Sequence, residues 1–155
     1  DESPDVAVCL GNLGTLLETK GDYYGAELLY REALAVYRKV FGDENMDVAW
    51  SLNTLAGLLF EKGDYEGAEP LYREALAIDE KALGREHPGF ATDLNNLAGL
   101  LRATGRTKEA EPLYREALAV FEVALGPEHP NTKTAAANLA RFEAARDADD
   151  QPPSQ

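Results

Sequence analysis

The apolar positions of this chain fall on one face of a helix, and they do so again 42 residues later. Leu52, Leu55, Ala56 and Leu59 recur as Leu94, Leu97, Ala98 and Leu101, at the spacing of an amphipathic helix. A second stripe follows in each copy. Ala68, Leu71, Tyr72, Ala75 and Leu76 predict another helix, ending at Leu83-Gly84. Polar residues punctuate the two: Gly63 and Gly105 stand where a helix end needs a left-handed residue, and Asp22 and Asp64 stand where the next helix needs an N-cap.

Aligned at this period, the chain divides into copies at 7–48, 49–90 and 91–132, with a half copy over 133–146. The second and third copies share 26 of 42 positions. Ser3-Pro4, Asn45-Met46, His87-Pro88 and His129-Pro130 fall in register. Ser and Asn are strong N-caps, so the same role is assigned to the two histidines. The chain opens at Asp1 in phase with the repeat, which predicts a segment excised at a repeat boundary. Glu69–Arg73 and Glu111–Arg115 have the favoured i,i+4 orientation, adding roughly 0.2–0.5 kcal/mol each. Pro70 and Pro112 fall in the early turns of the second helix, where each forfeits about one backbone hydrogen bond.

A two-helix unit with one apolar stripe per helix buries itself only by stacking on neighbours. The expected fold is therefore all-α, a right-handed α-solenoid of three full repeats plus a terminal helix over 134–146, seven helices in all. The array is expected to span 1–146. The tail 147–155, DADDQPPSQ, has no apolar side chain beyond Ala and Pro and is expected to be disordered.

Leu52, Leu55, Ala56, Leu59, Gly63, Tyr65, Ala68, Tyr72 and Ala75 stand where the tetratricopeptide repeat motif places such residues, and the chain resembles that family over residues 4–146. The 42-residue length, NNLAGLL and ALGPEHPNT are similar to the longer variety found in kinesin light chains. Thr107 replaces the aromatic of Tyr23 and Tyr65, and Arg106 replaces Asp64, which predicts altered packing at the third turn. The resemblance implies a binding scaffold whose first helices line a concave groove for an extended peptide. Carried over position by position, the candidate peptide-binding residues are Asn12, Trp50, Asn53, Gly57 and Phe60, then Asn95, Asn96, Gly99 and Arg102, then Asn138 and Arg141.

The residues support that choice. Asn is a poor helix former, and its amide both donates and accepts, matching the unpaired backbone of an extended segment; a structural ladder between helices is the other use for these amides. Gly57 and Gly99 cost about 1 kcal/mol each against Ala in mid-helix, which either close helix packing or a ligand backbone would explain. Trp50 is either packed between repeats or an aromatic shelf for a partner side chain.

Net charge is −13, which disfavours nucleic-acid binding and attachment to anionic lipid, both of which need basic surface. Acid concentrates on the second helices and linkers, leaving the first helices near neutral and Arg102 and Arg141 available for a carboxylate. No apolar run approaches a membrane span, and no charged-then-apolar leader precedes the first repeat. One cysteine, Cys9, excludes an internal disulfide and suits a reducing cytoplasm. No catalytic set, metal-ligand cluster or phosphate loop is recognisable, so neither catalysis nor a cofactor is expected. The expected function is a protein-interaction adaptor. Its rivals are a spacer that self-assembles by stacking open repeat ends, and a substrate-recruiting part of a larger enzyme or signalling protein.

Overall fold

The computed structural model describes residues 3–149, and all elements in it are helices: α1 (Pro4–Thr19), α2 (Tyr23–Phe41), α3 (Met46–Glu61), α4 (Tyr65–Leu83), α5 (Pro88–Ala103), α6 (Thr107–Leu125) and α7 (Pro130–Asp149). The predicted punctuation sets their ends. Ser3 Oγ, Asn45 Oδ1 and His87 Nδ1 each accept a backbone N–H two residues on, and His129 Nδ1 accepts that of Asn131. Asp22 and Asp64 cap α2 and α4. Arg106, at the same place before α6, makes no side-chain cap and pairs with Glu109 instead. Gly63 and Gly105 adopt φ of 79° and 77°, a conformation a side chain would strain.

The chain packs as two compact units, residues 1–84 and 85–155. In the first, α1 pairs with α2, α3 with α4, and α2 lies against α3; in the second, α5 pairs with α6, and α6 lies against α7. Leu52, Leu55, Leu58 and Leu59 of α3 are at most 1% exposed, each contributing roughly 1.5–3 kcal/mol. Polar side chains tie the same helices at their rims. Lys62 pairs with Glu27, Arg38 with Glu74 at 2.6 Å, and Arg115 of α6 with Glu143 of α7 at 2.6 Å.

Two helix limits differ from the sequence reading. The terminal helix starts at Pro130, because His129 and Pro130 repeat the cap and first-turn proline of α5. It runs to Asp149, three residues past the expected end at 146, since Ala is the strongest helix former and no Gly or Pro intervenes before Pro152. The rest of the expected tail, 150–155, lies outside the described residues.

Each hairpin is closed by one tyrosine from its second helix. Tyr30, Tyr72 and Tyr114 stand 42 residues apart and are 2%, 6% and 2% exposed. Burial pushes the Tyr30 and Tyr72 hydroxyls up to about 12, and it raises Tyr114 as well. All three are therefore neutral hydrogen-bond donors at physiological pH. Gly14 makes room for the first of them: a Cβ there would stand 2.6 Å from the Tyr30 ring.

Candidate binding site on the first helices

In the first unit the candidate residues come from α1 and α3. Trp50 is 57% exposed, although its helix neighbours Ala49, Ser51 and Leu52 are buried. The edge of its indole passes over Gly11 of α1, 3.9 Å from where a Cβ would stand. Trp50 is thus braced on one side and open on the other. Asn12 and Val8 of α1 are exposed, Asn53 is half-buried, and Met46 is exposed one turn before Trp50. The exposure of Met46 was not anticipated; its place at the first helical position, where Pro4, Pro88 and Pro130 stand in the other copies, masked it as a turn residue.

Phe60 is half-buried, and its ring lies 5.4 Å from that of Tyr65 across the turn between α3 and α4, a contact that helps close the hairpin.

In the second unit α5 and α7 bring two candidates together. Asn138 Nδ2 donates to Asn95 Oδ1 at 3.1 Å, a rung of the ladder that the sequence left open. The bond uses the acceptor of one amide and the donor of the other, so each retains its complementary half. Beside Asn95 is a hollow of about 160 Å³ lined by Thr92, Asn95, Phe121, Asn131 and Thr134. Thr134 is the repeat mate of Thr92, so the period itself marks it; Asn131 and Phe121 carry no such mark. Asn96 is half-buried, while Arg102 and Arg141 are exposed.

Gly57 and Gly99 answer the question the sequence raised about them. A Cβ at either would meet only a tyrosine hydroxyl, Tyr72 at 3.8 Å or Tyr114 at 3.7 Å, which is ordinary contact. Helix packing does not require these glycines.

Among the described residues no group of His, Cys, Asp and Glu could hold a metal ion, and no helix is long and apolar enough to cross a membrane.

Comparison with known proteins agrees with the fold. The tetratricopeptide repeat family profile matches residues 5–81, 47–122 and 89–150. A solved Podosopora anserina kinesin light chain with nearly identical TPR-like repeats is 26% identical at a TM-score of 0.85, over 95% of this chain and 70% of that one. BtubC (BKLC) of P. vanneervenii superposes at 0.76 with 23% identity, over 99% and 68%. The first TPR of Spaghetti (RPAP3), solved bound to the HSP90 peptide SRMEEVD, shares the fold at 0.68 with 16% identity, over 94% and 96%. No curated protein matches the chain. The three-fold recurrence of the helix pair, its capping and stacking positions, and these matches together show that the chain belongs to the tetratricopeptide repeat family, in the 42-residue variety seen in kinesin-light-chain-like proteins.

Proposed function

We propose that this chain is a protein-interaction scaffold whose first helices hold a short extended segment of a partner protein. Tetratricopeptide repeats commonly serve protein–protein interaction, and the Spaghetti repeat was solved with a peptide bound. The observation that carries the reading is Trp50, a large aromatic braced on Gly11 yet more than half exposed. An exposed aromatic of this kind is the usual anchor of an interface. Around it the first helices present amides and glycines, groups suited to a peptide main chain. Neither a cofactor nor catalysis enters this reading.

The test uses peptides of about twelve residues selected on this chain from a displayed random library, the length of an extended recognition segment. Trp50 is the only tryptophan, so its emission reports the site alone. The expected result is a shifted, saturable emission, with Trp50→Ala weakening binding by at least about tenfold, or 1.4 kcal/mol. Peptides that bind both chains equally would contradict it.

Self-stacking has an observation of its own. In α3, Ser51, Leu55 and Leu58 are buried, and α2 packs against that helix. Their repeat mates in α1, Cys9, Leu13 and Leu16, are exposed. If this face joins copies, sedimentation equilibrium will show concentration-dependent association that Leu13→Asp abolishes. A monomer at every concentration would leave the peptide reading alone.

A further inference from the structure

The three hairpin tyrosines differ in what meets their hydroxyls. Tyr30 Oη donates to Glu18 Oε2 at 2.6 Å and lies 3.1 Å from Thr15 Oγ1. At the same two repeat positions the second copy has Gly57 and Phe60, and the third has Gly99 and Arg102. Thr15 and Glu18 recur in neither copy, although Arg102 is near enough to Tyr114 to act on it electrostatically. The Tyr72 and Tyr114 hydroxyls consequently have no hydrogen-bond partner among the described residues, although their side chains are 94% and 98% buried. Neither oxygen is among the buried side-chain atoms left unsatisfied, so each still meets solvent, where a tyrosine hydroxyl otherwise finds a protein partner.

What stands in front of each hydroxyl is the glycine. Gly57 and Gly99 come from α3 and α5, the first helices that carry the proposed peptide face, and the hydroxyl is what a Cβ there would meet, at 3.8 and 3.7 Å. The missing side chain leaves a notch with the Oη at its base. Thr15 shows that this position accepts a larger side chain beside the tyrosine hydroxyl, so the glycines are not forced by space. In α7, which no second helix follows among the described residues, the same position is Arg141. Glycine stands where a tyrosine hydroxyl lies without a partner.

We propose that Tyr72 and Tyr114 are binding residues: each hydroxyl donates, through the notch at Gly57 or Gly99 of its own unit, to a main-chain carbonyl of an extended segment bound on that unit. Both are donors because burial holds them protonated well above neutral pH. A carbonyl is the acceptor that every extended segment offers at regular intervals, and a glycine notch admits backbone where a side chain would block it. The copy with its own Thr15 and Glu18 partners is closed to such a contact. This inference rests on the peptide-binding reading and adds to it the two groups that grip the backbone.

The experiment uses the full chain and a library-selected peptide of about twelve residues, with affinity by calorimetry and stability by thermal melting. Tyr72→Phe and Tyr114→Phe each remove one oxygen. Each is expected to weaken binding of the segment held by its own unit about five- to thirtyfold while leaving the melting temperature unchanged or raised, because no internal bond is lost. Gly57→Ser and Gly99→Ser, which supply an internal partner and fill the notch, are expected to do the same. Tyr30→Phe is expected to lower the melting temperature and leave affinity unchanged. If the peptide shifts Trp50 emission but binds the Tyr72→Phe chain as tightly as the native chain, the inference is overturned while the peptide reading stands. If no selected peptide depends on Trp50, both are overturned.

Discussion

A chain ending at Thr132 is expected to lose the cooperative unfolding of its second unit at ordinary temperatures. Removing the remainder of α7 takes away Ala135, Leu139 and Phe142, all buried. Leu139 and Phe142 alone represent roughly 3–6 kcal/mol of burial. It also strips the partner ring from Tyr114, whose centroid lies 5.7 Å from that of Phe142, and uncovers Phe121. The exposed Arg115–Glu143 pair adds at most about 1 kcal/mol. The total is comparable to the whole stability of a small domain, roughly 5–15 kcal/mol, and only α5 and α6 would remain to carry it. Urea and thermal melts followed by circular dichroism should show an early or non-cooperative phase. A transition unchanged from the full chain would show that α7 is not the cap of this unit.

Gly14→Ala should cost about 1–3 kcal/mol, the usual range for overpacking a core. Sequence reasoning points the other way. Positions 56, 98 and 140 of the other copies are all Ala, and Ala stabilises a helix interior relative to Gly by about 0.5–1 kcal/mol. The packing decides against propensity. The new Cβ would approach Tyr30 Cε1 and Cδ1 at 2.6 and 2.8 Å, and that ring is pinned by the bond from its hydroxyl to Glu18. Gly57→Ala, facing only a hydroxyl at 3.8 Å, should instead raise stability by about 0.5–1 kcal/mol. Two identical substitutions in first helices thus carry opposite signs. A melting temperature that rises for both would mean the Tyr30 ring gives way freely.

The fold was legible because the chain states it three times. One amphipathic helix with Gly63 after it is a weak statement, but the same letters at Gly105, with caps in phase at Ser3, Asn45, His87 and His129, leave little freedom. What periodicity does not carry is the direction of a given side chain at a hairpin's edge. Phe60 occupies a first-helix position that in the family faces the groove, and its contact with the Tyr65 ring across the turn is not marked by the repeat. Likewise the repeat marks Asn95 and Asn138 as related surface amides but does not say that they bond each other; that depends on the spacing of α5 and α7. The column Thr15, Gly57, Gly99, Arg141 was visible in the alignment. Its meaning was not, because the tyrosine that reads it comes from another helix.

Binding at the first helices is the central claim, and the amides test it most directly. In the chain carrying Asn53→Ala and Asn95→Ala, calorimetric titration with a peptide selected on the native chain should show at least about a tenfold loss of affinity, 1.4 kcal/mol. The melting temperature should fall only slightly, since Asn95 and Asn138 are half-buried and water replaces their lost bond. Native affinity in that double variant, with the fold intact, would contradict the claim.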